Sequence, residues 1–199
     1  MACVFISGIP ASGKSYLSKK IARAHGVLHV SVDGLRERAG EDPQLKPYLN
    51  FFRLRNEAEY WSRTSCAEHW QNLKRQSEAL WPAMIGRINC AAASGQPVIF
   101  EGVNILPHLA ARDLRFSGIV LLGESLEAVF QRNRARPRWG KAKGLQRREA
   151  EAFFFWEREF YRSEAEKYGY QTFTSASCAE QTLLRMLEIR FDSTGRRWN

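Results

Sequence analysis

The sequence predicts an α/β domain in which helices cover both faces of a parallel sheet. Apolar runs of strand length alternate with helical segments along most of the 199 residues, which is the pattern of successive βαβ units. A glycine-containing loop, GIPASGKS, lies between the first apolar run and the first helical segment. Because domains commonly contain about 50 to 250 residues, the length suits one domain with one core.

The chain opens with a predicted βαβ unit. Residues 3–7 form an apolar run, a helix is expected at about 14–24, and a second apolar run covers 27–32. A helix-rich stretch follows at about 42–93, with aromatic residues among charged ones. We expect most of them in the core, and a surface that stacks an acceptor base or strand is the alternative. These residues are Tyr48, Phe51, Phe52, Tyr60, Trp61, Trp70 and Trp81.

The second half of the chain continues the alternation. Residues 98–100 and 119–122 predict two buried strands, and residues 170–174 predict the last one. Helices are expected at about 125–134, 146–167 and 179–190, and residues 192–199 at the end of the sequence are expected to be a polar tail.

Composition narrows the classes of partner. The net charge of +9 favours ligands that carry phosphate, namely a nucleotide, a phosphorylated metabolite or a nucleic acid. The four cysteines are widely spaced and predict neither a disulfide framework nor a metal site. No stretch approaches the roughly 20 apolar residues of a membrane helix, and the first residues look like a strand, so we expect a soluble cytoplasmic protein.

The loop after the first strand matches GxxxxGK[ST], the pattern of a phosphate-binding loop. Its glycines let backbone N–H groups face phosphate oxygens, and the following helix adds the positive end of its dipole. Lys14 is expected to contact the β- and γ-phosphates of ATP, and the Ser15 hydroxyl to bind Mg²⁺. The predicted ATP-binding residues are Gly8, Ile9, Pro10, Ala11, Ser12, Gly13, Lys14, Ser15 and Tyr16.

The second strand ends in the sequence VSVDGLR, with Asp33 at its carboxyl end. Open α/β sheets bind their ligands at that edge. We therefore expect Asp33 to accept the proton of an attacking hydroxyl, and Arg36 to hold a phosphate or carboxylate of the acceptor. The alternative for Asp33 is an N-cap of a helix that starts near Leu35, and one residue can serve both roles.

Glu101 ends the third apolar strand, which is the position of a Walker-B-like acid. A carboxylate there can hold Mg²⁺ through water or orient the acceptor, and Asn104 is a polar neighbour that we also assign to the acceptor site. The alternative is a glutamate that only bonds nearby backbone.

Residues 132–148 contain arginines and lysines but no acid. Such a segment predicts a lid, at about 135–147, whose arginines stabilise charge on the transferred phosphoryl group. Arg132 and Arg136 are four residues apart near a helix end and are the predicted catalytic pair. A solvated basic face is the alternative, and we expect it for Lys141, Lys143 and Arg148.

Together, GIPASGKS, DGLR, VIFEGVNILP and the arginine-rich segment resemble the P-loop kinases that include 2-phosphoglycerate kinase, zeta toxins, chloramphenicol phosphotransferase and polynucleotide kinases. The resemblance spans most of the chain. It implies a five-stranded sheet in the order 2-3-1-4-5, Asp33 as acceptor base, and Glu101 as a site residue. It also implies adenine near the loop at 175–177. The segment at about 43–94 differs from that of the best-known members. In this group the corresponding segment usually determines acceptor specificity.

The first functional interpretation is an ATP- and Mg²⁺-dependent kinase that transfers the γ-phosphoryl group to the hydroxyl of a small molecule. A polynucleotide 5′-hydroxyl kinase is the second, because of the net charge and the basic segment. A nucleotide-gated binding protein with slow hydrolysis is the third, and the lack of an N/T-K-x-D sequence disfavours it.

Overall fold

The computed structural model describes residues 2–39, 42–49 and 56–189. Five strands form one parallel sheet in the order β2-β3-β1-β4-β5, which confirms the predicted order. The strands are β1 (Cys3–Gly8), β2 (Leu28–Ser31), β3 (Val98–Glu101), β4 (Gly118–Leu121) and β5 (Gln171–Phe173). Phe51, Phe52 and the predicted tail at 192–199 lie outside the described residues.

Ten α-helices occupy the described part of the chain, and a π-helical segment, Ala152–Glu157, joins the eighth to the ninth. They are α1 (Lys14–His25), α2 (Val32–Ala39), α3 (Lys46–Leu49), α4 (Glu57–Arg63), α5 (Cys66–Ala92), α6 (Pro107–Asp113), α7 (Leu126–Ala135), α8 (Lys143–Glu151), α9 (Arg158–Lys167) and α10 (Ala176–Met186). None of the helices in these ranges is long and apolar enough to cross a membrane.

The sheet separates two hydrophobic clusters because alternate strand residues point to opposite faces. Val4 and Ile6 of β1 pack in a cluster with residues of α1 and α10. Phe5, between them, belongs to the larger cluster that includes Trp81 and Met84 of α5. Apolar residues on both faces of a central strand are typical of a parallel sheet covered by helices on each side.

The aromatic residues of the middle segment are largely core, as predicted. Tyr60, Trp61, Trp70 and Trp81 are all buried. The Trp81 indole N–H also donates to Asp113 Oδ2 at 2.6 Å, which satisfies its one polar atom. Tyr48 is the exception among the described residues, since it is exposed.

The structure corrects several predicted helix boundaries. The helix α2 begins at Val32, directly after β2, and not near Leu35. The long helix predicted at 146–167 begins earlier, at Lys143, and contains the π-helical segment, which no sequence pattern indicated. The last helix begins at Ala176 because Ser175 caps it, its Oγ accepting a hydrogen bond from the backbone N–H of Cys178.

Candidate active site

The phosphate-binding loop connects β1 to α1 in a shape that requires glycine. Gly8 has a φ of 122°, and a Cβ there would clash with the backbone of Leu121 on β4. Gly13 has a φ of 102° and caps α1 without any side-chain hydrogen bond to the helix. The first N–H groups of α1 therefore have no side-chain acceptor, as expected of a loop that receives an anion.

Lys14 lies inside this loop. Its ammonium group donates to the backbone oxygens of Gly8 at 2.7 Å and Ile9 at 2.6 Å. The side chain is only 5% exposed. Burial and, to a lesser extent, the positive charge of Arg138 lower the pKa of Lys14 to about 8, against the opposing effect of nearby carboxylates. A bound phosphate group would supply the negative charge that this buried ammonium favours.

Ser15 and Glu101 meet at the carboxyl end of the sheet. The Ser15 hydroxyl donates to Glu101 Oε2 at 3.0 Å, and His29 Nε2 lies 3.4 Å from Glu101 Oε1. Burial acts to raise the pKa of Glu101, but the hydrogen bonds of His29 and Ser15 and the charge of Lys14 overcome it and hold the pKa below its usual value. The carboxylate is therefore ionised at neutral pH.

These oxygen atoms fit Mg²⁺, which prefers oxygen ligands and usually keeps several waters. The Ser15 hydroxyl and the Glu101 carboxylate are already adjacent. Within the described ranges, no group of three or more His, Cys, Asp or Glu side chains could hold a metal by itself. A magnesium ion at this place would therefore be completed by water and phosphate oxygens.

Asp33 lies in the first turn of α2. Its Oδ1 atom is buried and has no hydrogen-bond partner. Because α2 starts before Asp33, the predicted cap of a helix starting near Leu35 is wrong. An unpartnered buried carboxylate oxygen costs free energy, so the stability of the fold does not explain why an aspartate occupies position 33.

Arg36, one turn further along α2, is held in place by a buried amide. Its NH1 donates to Asn104 Oδ1 at 3.3 Å, and Asn104 Nδ2 donates to Ser77 Oγ at 2.9 Å. Arg36 lines the cavity described below, whereas Asn104 is fully buried and does not line it. Asn104 therefore contacts Arg36, and its place in the predicted acceptor site is indirect.

The segment between α7 and α8 brings arginines to the phosphate-binding loop. Arg132 NH1 donates to the Ala11 carbonyl at 3.4 Å, and Arg136 caps the carboxyl end of α7. Arg138, which the sequence did not single out, also reaches the same cavity and is less exposed than either. At the other side of this segment, Gly140 lies so close to Glu57 of α4 that a Cβ would overlap its carboxylate.

One cavity of about 510 Å³ joins these parts. Its lining includes residues 10–16 of the loop, Asp33, Arg36, Glu101 and the two predicted catalytic arginines. Gly8 and Ile9 shape the loop from behind and do not line the cavity. The structure thus brings together most of the predicted site residues, although they come from distant parts of the sequence.

Six further residues line the cavity, and of these the sequence had indicated only Tyr60 and Trp61, as part of the alternative stacking surface. The six are Tyr60, Trp61, His69, Trp139, Phe153 and Glu157, and we call them the distal end of the cavity. His69 and Glu157 are 88 positions apart and hydrogen-bonded at 2.7 Å. The one available signal was a glutamate within the apolar sequence AFFFWE, where a lone acid is unusual.

The loop after β5 borders the phosphate-binding loop. Ser175 caps α10, and a Cβ placed on Gly13 would lie 3.7 Å from the Cβ of Ala176. This proximity is compatible with the implied adenine position at 175–177, which stays a prediction.

Comparison with known proteins gave matches only at the level of structure. No protein-family model matches the sequence, and no curated protein matches it. The fold is similar to that of TT1252 from Thermus thermophilus, with a TM-score of 0.55 and 19% identity, covering 92% of this chain and 96% of that one. It is also similar to deoxyadenosine kinase from M. mycoides with bound dATP, with a TM-score of 0.50 and 15% identity, covering 94% of this chain and 100% of that one.

The chain has the P-loop kinase fold. At such low identity the likeness concerns the fold alone. It does not distinguish the group of 2-phosphoglycerate kinase, zeta toxins and polynucleotide kinases from other P-loop kinases.

Proposed function

We propose that this protein is an ATP-dependent kinase that transfers the terminal phosphoryl group of ATP to a hydroxyl group of a small molecule. The observation that carries the proposal is that Asp33, which has a buried oxygen without a hydrogen-bond partner, lines the same cavity as the phosphate-binding loop. A buried carboxylate oxygen beside a phosphate site is suited to accept a proton from an attacking hydroxyl. A protein that only bound a nucleotide would have no use for it.

In this proposal the phosphate-binding loop and Lys14 hold the triphosphate, and Ser15 and Glu101 hold the magnesium ion, Glu101 through water. When bound, Mg²⁺ neutralises part of the phosphate charge and orients the terminal phosphate. The Lys14 ammonium would exchange its contacts with Gly8 and Ile9 for phosphate oxygens, which restores the charge pairing that burial removes.

Asp33 accepts the proton of the acceptor hydroxyl while the acceptor oxygen forms its bond to the terminal phosphorus. The bond from that phosphorus to the bridging oxygen breaks, and ADP leaves with the electron pair. Arg132 and Arg136 stabilise the negative charge on the transferred group from the lid. Arg138 is a third candidate for this role, because it lines the cavity and its charge acts on Lys14.

The cavity favours a small acceptor over a polynucleotide. Its distal end is lined by buried side chains, among them Trp61, His69 and Glu157. A nucleic acid strand requires a basic groove that follows its backbone, whereas this region is aromatic and contains carboxylates. The net charge of +9 still makes the polynucleotide alternative worth testing.

The test is an acceptor screen with labelled ATP and Mg²⁺ that covers metabolites, sugars, amino alcohols and 5′-hydroxyl oligonucleotides. Once an acceptor is found, Asp33→Asn should bind ATP with near-normal affinity yet turn over about a hundredfold more slowly or worse. Asp42→Asn is the control, since Asp42 is exposed and outside the cavity. Near-normal turnover of Asp33→Asn would reject Asp33 as the base.

A further inference from the structure

The distal end of the cavity contains a hydrogen-bonded chain of three buried side chains. The Tyr60 hydroxyl lies 2.7 Å from His69 Nδ1, and His69 Nε2 lies 2.7 Å from Glu157 Oε1. All three residues line the cavity, and Glu157 is only 3% exposed. The second carboxylate oxygen, Glu157 Oε2, is buried and has no hydrogen-bond partner.

The direction of this chain follows from the chemistry of its members. An ionised carboxylate only accepts hydrogen bonds, so His69 Nε2 must carry the hydrogen atom of this bond and donate the hydrogen bond to Glu157 Oε1. This holds for both the neutral and the protonated imidazole. Oε1 of Glu157 therefore accepts the hydrogen bond from His69, while Oε2 can still accept one. A buried acceptor without a hydrogen bond lowers the stability of the fold unless a ligand donates to it.

The backbone helps to bring Glu157 to this place. Glu157 is the last residue of the π-helical segment, and Phe153, four residues earlier, also lines the cavity. π-Helical turns are rare and occur frequently at functional sites. Their presence here is a second sign that the distal end is built for a ligand.

Aromatic rings surround the same region. Trp61 and Trp139 line the cavity with ring centroids 6.2 Å apart, and the Tyr60 ring centroid lies 5.4 Å from that of Trp139. The faces of such rings attract cations, most strongly for tryptophan. Aromatic faces next to a carboxylate are the combination that recognises an organic ammonium group.

The distribution of charge in the cavity also favours a ligand with an organic ammonium group. The basic side chains of the phosphate-binding loop and the lid lie where the triphosphate is proposed to bind, and Arg36 of α2 is hydrogen-bonded to Asn104. Glu149, which also lines the cavity, is a second buried acid near Glu157. Burial raises the pKa of Glu149, the negative charges of Glu57 and Glu157 add to the rise, and the Asn133 hydrogen bond and the charge of Arg138 oppose it. An anionic acceptor would meet these acids at close range.

We propose that the acceptor is an alcohol that also carries a protonated amine, and that Glu157 Oε2 accepts a hydrogen bond from this ammonium beside Trp61 and Trp139. The inference rests on the proposed kinase function, because it assigns the acceptor side of that site. A neutral alcohol that cannot donate to Glu157 would leave its oxygen unpartnered.

The experiment measures binding without turnover. Amino sugars, aminocyclitols and aryl amino alcohols are titrated into the protein by calorimetry in the presence of a non-hydrolysable ATP analogue and Mg²⁺. Each amine is compared with its N-acetyl derivative, which keeps the hydroxyls and loses the charge. We expect at least one amine to bind roughly tenfold or more tightly than its derivative, the usual effect of a hydrogen bond to a charged group.

Two substitutions on neighbouring positions locate the effect. Glu157→Gln keeps an oxygen for His69 but removes the charge, so the preference for the amine should fall to about twofold or less. Glu159→Gln is the matched control, because Glu159 is exposed and pairs with Arg162 at 2.7 Å. It should keep the full preference. The Glu159→Gln variant should also bind the ATP analogue as the unchanged protein does.

A second variant covers the case in which Glu157→Gln does not fold. Trp139→Leu removes an aromatic face from a partly exposed position in the lid and should lower the amine preference about fivefold. The inference is overturned if no amine binds, if the N-acetyl derivatives bind equally well, or if the folded variants keep the preference. Amines that bind but are never phosphorylated would contradict the kinase proposal alone, whereas phosphorylation of neutral alcohols with no amine preference would contradict this inference alone.

Discussion

Nucleotide affinity should depend on pH through Lys14. In the free protein burial and Arg138 lower the pKa of this buried ammonium to about 8. A bound triphosphate stabilises the charged form and raises the pKa again. Between these two values, binding takes up a proton, so affinity must fall as pH rises above about 8. Only well below that pH is Lys14 almost fully charged, and there the affinity should be constant as far as this residue is concerned.

The size of the effect follows from the fraction of Lys14 that is protonated in the free protein. With a pKa of about 8, that fraction is about three-quarters at pH 7.5 and about one-eleventh at pH 9. The Kd for ADP or for a non-hydrolysable ATP analogue should therefore rise about eightfold over this interval. The phosphates contribute little, because the second pKa of a phosphate ester is about 6.

Calorimetry at constant Mg²⁺ and ionic strength measures this dependence, and two variants identify its source. Lys14→Met should bind the nucleotide weakly and with no change between these pH values. Lys20→Met is the control on the same helix, because Lys20 is exposed and pairs with Glu180 at 2.6 Å. It should keep the change of about eightfold that one titrating group gives. A constant Kd for the unchanged protein would refute the reasoning, since it would mean that Lys14 is fully charged at pH 9.

Three further predictions concern the lid, the acceptor and the loop. Arg136→Ala should lower turnover about a hundredfold, the effect of losing one donor to the transferred group, while Lys141→Ala should change it little; equal effects in a steady-state assay would contradict the assignment. A labelled 5′-hydroxyl oligonucleotide should bind weakly. For a strand gripped by its backbone, the logarithm of the affinity falls by about 0.7 per phosphate contact for each unit of log salt. A slope that implies four or more contacts, together with 5′-phosphorylation, would instead favour the polynucleotide kinase. Gly8→Ala should unfold the protein or prevent its expression because of the clash with Leu121. Gly26→Ala is the control, since Gly26 has a φ of 65° but open space around it. It should lower the free energy of unfolding by only about 1 kcal/mol in a thermal or chemical denaturation experiment.

The sequence by itself determined the strands of the sheet and predicted the phosphate-binding loop. Both depend on local information: short apolar runs predict buried strands, and the loop pattern predicts which residues face a phosphate. Asp33 and Glu101 were predicted because each was placed at the carboxyl end of a strand, and the ends of parallel strands meet at one edge of the sheet. The resemblance supplied the strand order, which the residues alone did not give.

Only the tertiary structure revealed the distal end of the cavity. Tyr60, His69, Trp139 and Glu157 come from α4, α5, the lid and the π-helical segment, so no sequence spacing links them. The same holds for Asn104, which is buried, does not line the cavity and accepts a hydrogen bond from Arg36. Local patterns encode a strand, a cap or a phosphate loop, but an acceptor site is formed where distant helices pack together, and that packing is decided by the whole core.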